Sequence, residues 1–295
     1  MTSPELSVVV ASVNGLPYLG DCLDALEATA HDAEIVVADW TDEATREAVR
    51  QRWPRVQLLS FDEPKTVPEL RAAGIAAASA PYVAVIEDHC NVRDGWASRI
   101  VAAHRAGRAV VGGSIRNGAT ARIRDWAAFF CEYSEHMDPA PVGEVPSLAG
   151  MNVSYDRSAL DAMQPLLDEG RWESDLHPHL QRRGFALFAD GGIALVHAKD
   201  FGFREFVSQR YHYSRSYAGL RNRTLGARRF VHLFGSPLLV PVLYLRIVRN
   251  VLRRRAHRWE LAKATPLILI YLLVWSFGEA VGYAFGGGRS LLKVR

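Results

Sequence analysis

From Leu6 to His89 the chain alternates short apolar runs, mostly β-branched, with segments whose apolar residues recur at helical spacing. The last run stops abruptly in Glu87-Asp88-His89. Continuous runs of this kind suit strands buried on both faces. They predict strands over Leu6 to Val13, Glu34 to Ala38, Val56 to Ser60 and Tyr82 to Ile86, with helices over Tyr18 to Thr29 and Val67 to Ser79. That order implies an α/β fold, a mostly parallel sheet with crossover helices. In open sheets of this type ligands collect at the carboxyl ends of strands, where Asn14, Asp39 and Glu87-Asp88-His89 all fall.

The pattern continues with a helix over Trp96 to Ala106 and a strand over Ala109 to Ile115, then a mixed aromatic stretch from Arg122 to Pro146. A strand is expected over Leu148 to Tyr155, helices over Ser158 to Leu167 and Asp175 to Arg183, and short strands over Ala186 to Ala189 and Ala194 to His197. After Asp200 the character changes. Between Lys199 and Lys263 there are fifteen Lys or Arg against three Asp or Glu, and apolar segments lie at Phe230 to Val248 and Thr265 to Phe285. The expected division is an α/β domain over 1–220 and a basic, apolar, helical membrane-associated region over 221–295.

Apolar flanks favour anionic lipid headgroups or a diphosphate over nucleic acid as the partner of this basic stretch. Two full crossings would carry Arg249, Arg253, Arg254, Arg255 and Arg258 away from the catalytic side, against the positive-inside bias, so the number of crossings stays open. The alternative is a pair of core helices in a soluble protein. Cys22, Cys90 and Cys131 form no CxxC pair and the N-terminus carries no signal-peptide pattern, which places the catalytic part at the cytoplasmic face of the membrane.

Glu87-Asp88-His89 offers two carboxylates and an imidazole at a strand end, a donor set suited to Mg²⁺ or Mn²⁺ bridging phosphates; a solvated acidic turn is the alternative. Asp39 can accept from a nucleobase or ribose, or cap the following helix. Arg71 can reach a base or phosphate, or simply face solvent.

LSVVVASVNG, EIVVADWTDEAT and LRAAGIAAASAPYVAVIEDH, in that order, resemble the inverting family 2 glycosyltransferases, whose catalytic domain has the Rossmann-like GT-A fold. The resemblance covers roughly residues 6 to 215 and implies a nucleotide-sugar site of Ala11, Ser12, Asn14, Asp39, Arg71, Glu87 and Asp88. The family's Asp-x-Asp metal signature is filled here by Glu87, Asp88 and His89, so the implied metal ligands are Asp88 and His89, with His197 at a position where some members supply a histidine. GRWESDLHPHLQRRG resembles the family's acidic motif and implies Glu173 as general base, with Asp175 in reserve. LAGMNVSY resembles the acceptor-side segment, through Gly150 and Asn152. Arg210, His212 and Arg215 lie near the place of a Gln-x-x-Arg-Trp motif that is absent, which implies a non-processive enzyme that uses these groups on the diphosphate.

The implied activity is transfer of a sugar, with inversion, from a nucleotide diphosphate sugar to a hydroxyl or lipid-phosphate acceptor in cell-envelope glycan or glycolipid synthesis. A membrane-tethered nucleotide-sugar binder without catalysis and a sugar nucleotidylyltransferase are the rival classes. The latter usually carry a Gly-rich loop and a basic residue after the first strand, and ASVNGLPYLG has neither.

Overall fold

The computed structural model describes residues 3–294. In chain order the elements begin with β1 (Leu6–Ser12), α1 (Tyr18–Thr29), β2 (Glu34–Asp39), α2 (Glu43–Arg52), β3 (Gln57–Ser60), α3 (Val67–Ala77) and β4 (Tyr82–Glu87). Next come β5 (Cys90–Val92), α4 (Trp96–Arg105), β6 (Val110–Asn117), α5 (Ile123–Tyr133), β7 (Gly143–Glu144), β8 (Val153–Asp156), α6 (Arg157–Asp168), α7 (Glu173–Arg182) and β9 (Leu187–His197). The helices α8 (Phe203–Leu225), α9 (Arg229–Gly235), α10 (Leu239–Arg254) and α11 (Arg258–Phe285) close the chain. It forms two compact units: residues 1–118 with 136–199, and residues 119–135 with 200–295.

The first unit is built on one sheet in the order β3-β2-β1-β4-β8-β6-β9-β5, with β7 added against β9. Pairings show β1, β2, β3, β4, β6 and β9 running one way and β5, β7 and β8 running against them. The expected α/β, mostly parallel architecture is present. All seven residues of β1 are buried, as a strand covered on both faces requires. Gly74 of α3 lies against Val9, where a Cβ would collide with the valine side chain, so glycine is what lets this crossover helix sit on β1. The chain runs outward from β1 to β2 and β3 and returns to β4 on the other side. Register sets Ser12 beside Asp39 and Ala11 beside Glu87, which brings the polar strand ends to this switch point.

Asn152, expected on the acceptor side, is instead a buried bracket of the sheet. It accepts from Trp96 Nε1 at 2.9 Å and donates to the carbonyls of Ser114 at 3.0 Å and Ile193 at 2.9 Å. Replacing it with leucine should cost about 2–4 kcal/mol, because those partners would be left buried and unsatisfied. Equilibrium denaturation checks this, and a change below about 0.5 kcal/mol would contradict the bracket role.

Three other expectations need adjustment. The segment over Leu148 to Asn152 turns, and the strand starts only at Val153. The two short strands after Phe185 are one strand, β9, whose register against β6 shifts between Gly113 and Ser114. The boundary drawn at residue 220 falls inside α8, a continuous helix that belongs to the second unit.

In the second unit α8 packs along α11. A Cβ on Gly282 would lie 2.5 Å from the Arg215 carbonyl oxygen, and one on Gly278 would lie 2.7 Å from that of Tyr211, so two glycines one turn apart let the helices approach closely. Two helical stretches, Gly226–Arg254 and Arg258–Phe285, are long and apolar enough to cross a bilayer, with mean hydropathy 1.6 and 1.7.

Candidate functional site

The β1–α1 turn is shaped by a carboxylate delivered from the end of β4. Asp88 is fully buried, and its Oδ2 accepts from the backbone N–H groups of Val13 at 2.9 Å, Asn14 at 2.6 Å and Gly15 at 3.3 Å. Its Oδ1 accepts from Asn14 Nδ2 at 2.7 Å and faces His89 Nδ1 at 3.1 Å. Burial alone would raise this carboxyl, but the hydrogen bonds from His89 and Asn14 outweigh it and hold Asp88 below the usual carboxylate range. Both oxygens are therefore committed to N–H donors. Asp88, expected among the metal ligands, is instead the internal brace that sets Asn14 at the strand end.

Its neighbours point elsewhere. With His89 Nδ1 turned to Asp88, the other ring nitrogen, Nε2, lies 3.3 Å from Glu87 Oε2. His197 stands edge-on to His89, with ring centroids 4.7 Å apart. It is buried and held neutral, its pKa well below the ordinary value through burial and then through the charges of His89 and Lys199. Lys199 Nζ donates to Asn14 Oδ1 at 2.8 Å.

A second cluster joins parts of the chain far apart in sequence. Arg71, in the middle of α3 and 4% exposed, spreads its guanidinium between Glu87 at the end of β4 and Glu173 at the start of α7. The Glu173 contact is 2.5 Å, and the guanidinium also sits 5.4 Å from the Trp172 ring centre. Burial opposes the charge on Arg71, but Glu173 and then Glu87 more than compensate and raise its pKa. A Cβ on Gly150 would collide with the Glu173 carboxylate at Oε2, so glycine at this place lets that carboxylate lie against the turn over Leu148 to Asn152. Gly150→Ala should displace Glu173 and lower any activity depending on it by about 10²-fold, as a misplacement of about 1 Å does. Steady-state kinetics test it, and unchanged turnover would show that this oxygen is not at work.

Behind Glu173, the Tyr155 hydroxyl meets His177 Nε2 at 2.9 Å. Burial pushes His177 down from 6.5 to about 4, with the Glu173 charge pulling weakly the other way. Below pH 6.5 the unfolded chain takes up a proton that the folded chain refuses, so stability is lost as pH falls toward 4. At about 1.4 kcal/mol per pKa unit the full loss is about 3 kcal/mol. His177→Gln should flatten denaturation midpoints over that window; parallel losses in both proteins would exclude His177 as the source.

The remaining expected residues divide. Ala11 is buried in β1, and Ser12 Oγ is buried with no hydrogen-bond partner among the described residues. Asp39 is fully buried and already engaged, by Arg46 Nε at 3.0 Å and Thr41 Oγ1 at 2.7 Å, so it anchors α2 to the sheet. Asp175 is half-exposed and faces Arg171 at 3.8 Å, outside the Arg71 cluster. Arg210, His212 and Arg215 lie in the second unit. There Arg210 donates to Glu132 at 2.7 Å and stacks 4.0 Å from the Trp275 ring centre, His212 meets Ser290 Oγ at 3.2 Å, and Arg215 donates to the Gly286 carbonyl at 3.1 Å. Tyr155, His177 and Lys199 are not singled out by the sequence, since an isolated residue of these types carries no motif. Their burial and hydrogen bonds in the fold are what reveal them.

Among the described residues no group of three His, Cys, Asp or Glu side chains is arranged around a common point. Glu87 Oε2 and His89 Nε2 stand 3.3 Å apart, a carboxylate oxygen beside an imidazole nitrogen.

The glycosyl transferase family 2 model matches residues 7–163, which contain Asn14, Arg71, Glu87, His89 and Gly150. The chain belongs to glycosyl transferase family 2. Its fold is that of a GT-A glycosyltransferase. The mannosyltransferase PcManGT from Pyrobaculum calidifontis, solved with GDP-Man and Mn²⁺, is similar to this family 2 chain with a TM-score of 0.59 and 15% identity, over 95% of this chain and 88% of that one. A search of curated proteins found no match.

Proposed function

We propose that this family 2 glycosyltransferase moves a sugar from a nucleotide diphosphate sugar to an acceptor hydroxyl in a single displacement with inversion, with Glu173 as general base. The observation that carries the reading is the Arg71 bridge, which sets Glu173 beside the β4 strand end where Glu87 and His89 stand. A carboxylate so placed takes the acceptor proton as the oxygen attacks the anomeric carbon, and the bond to the diphosphate breaks with its electron pair leaving on the phosphate oxygen. Arg71 orients Glu173 by holding Oε1, which leaves Oε2 toward Gly150. Asn14 and Lys199 line the other side and offer an amide and an ammonium to the diphosphate.

Glu87 Oε2 and His89 Nε2 would hold Mg²⁺ or Mn²⁺, and a cation there supplies positive charge to the leaving diphosphate. The apolar helices of the second unit attach the enzyme to the cytoplasmic side of a membrane, in reach of a glycan or lipid-linked acceptor of the cell envelope. A thermal-shift panel of UDP, GDP and dTDP with and without Mn²⁺ tests the donor half. One base should raise the melting temperature in a Mn²⁺-dependent way, because a ligand that binds only the native form stabilises it. No shift with any base would remove the nucleotide-sugar reading; binding of a sugar nucleotide without turnover on any acceptor would leave a binder in its place.

A further inference from the structure

Within the second unit, α8, α9, α10 and α11 surround a cavity of about 360 Å³ that no step of the proposed transfer uses. Its polar wall carries two guanidinium groups, Arg221 and Arg246. Arg221 donates to the phenol oxygens of Tyr217 at 3.4 Å and Tyr283 at 3.3 Å. Arg246 is exposed at the rim and makes no ion pair among the described residues. One acid, Glu279, faces them from α11 and is fixed by Trp275 Nε1 at 2.7 Å. Arg221 and Arg246 face the single carboxylate of Glu279, on which Arg210 also acts, and His232 joins the lining, so the cavity is net positive and suits an anionic ligand.

The lining also has an apolar part, Val231, Leu239 and Leu243, the two leucines on the same face of α10 as Arg246. It is continuous with an uncovered face: Val231 is 73% exposed, Leu238 69% and Leu245 64%. The helical stretch that carries them, Gly226–Arg254, has mean hydropathy 1.6 and only 11% of its apolar window buried. A small hydrophilic anion would leave that face uncovered, whereas an amphiphile satisfies both parts at once. A phosphodiester carries one negative charge and accepts from guanidinium groups with good geometry.

We propose that this cavity binds the phosphodiester headgroup of an anionic membrane phospholipid through Arg221 and Arg246, with the acyl chains lying along the exposed apolar face of α9 and α10. The site is separate from the Arg71 cluster and does not depend on which sugar is transferred. It makes the second unit a reader of lipid charge as well as an apolar attachment.

The test uses the full chain in a neutral detergent, titrated with phosphatidylglycerol, with phosphatidylcholine of the same acyl chains, and with inorganic phosphate, while melting is followed. Phosphatidylglycerol should raise the melting temperature; phosphatidylcholine and phosphate should not. Arg246→Gln should raise the half-saturating phosphatidylglycerol concentration about tenfold, the size expected for losing one charge-assisted hydrogen bond. Its lipid-free melting temperature should not change, since Arg246 is exposed and makes no ion pair among the described residues. Arg253→Gln, on the exposed end of α10 outside the cavity, should leave the titration unaltered. Equal shifts from phosphatidylcholine would overturn the charge requirement, and a matching shift from inorganic phosphate would overturn the lipid. Equal weakening by Arg253→Gln, or none by Arg246→Gln, would replace the site with a diffuse basic surface. The nucleoside diphosphate shift, read on the same Arg246→Gln sample, should persist, so failure here and failure of the transferase reading are told apart.

Discussion

Glu173→Gln should lower transfer to a hydroxyl acceptor by about 10²–10⁴-fold, the usual contribution of a positioned general base. The amide keeps the size of the side chain and can still meet the Arg71 fork through its carbonyl oxygen, so nucleotide binding should change little, while the melting temperature should fall because buried Arg71 loses one of its two carboxylates. That separation is what makes the variant informative, and kcat measured beside nucleotide affinity gives it. Residual transfer within about tenfold of wild type would mean that the attacking oxygen needs no base. An acceptor that is already anionic, such as a lipid phosphate, would explain it.

Arg71→Met should destabilise the protein by about 3–5 kcal/mol, because it leaves the carboxylates of Glu87 and Glu173 buried without their shared counter-charge. Those carboxylates are only 18% and 12% exposed, so water can restore little of what the guanidinium gives. Arg71→Lys should fall between the two, since one ammonium cannot hold both acids in the fixed fork that arginine offers. Equilibrium denaturation of the three proteins measures the order. If Arg71→Met unfolded within about 1 kcal/mol of wild type, the bridge would be a surface-like pair of little weight, and its use as the organiser of the site would be lost.

Much of the sheet was legible because β1, β2 and β4 are continuous apolar runs whose ends carry the polar groups, and burial on both faces leaves such runs few alternatives. Which way each polar group turns was not. Glu87, Asp88 and His89 are consecutive, and spacing alone cannot say that the middle carboxylate folds back to collect three backbone N–H groups while Glu87 turns to Arg71 and to His89 Nε2. Asp39 shows the same limit from the other side: its place at a strand end was clear, but Arg46, one turn into α2, neutralises it. Glu173 stands in an acidic motif and Arg71 in the helix before β4, but that the two meet, with Gly150 against the carboxylate, is tertiary information. Likewise the aromatic and basic α8 sides with the apolar helices because Gly278 and Gly282 of α11 seat it, a packing choice that composition does not state.

The most direct measurement is a crystal structure of the enzyme soaked with the nucleotide diphosphate sugar selected by the thermal-shift panel, together with Mn²⁺. The diphosphate should lie against Asn14 and Lys199 with the metal between it, Glu87 and His89, and the anomeric carbon should face the Glu173 carboxylate at the distance of one acceptor oxygen. A sugar nucleotide bound elsewhere, or one whose anomeric carbon turns away from Glu173, would contradict a transfer site organised by Arg71.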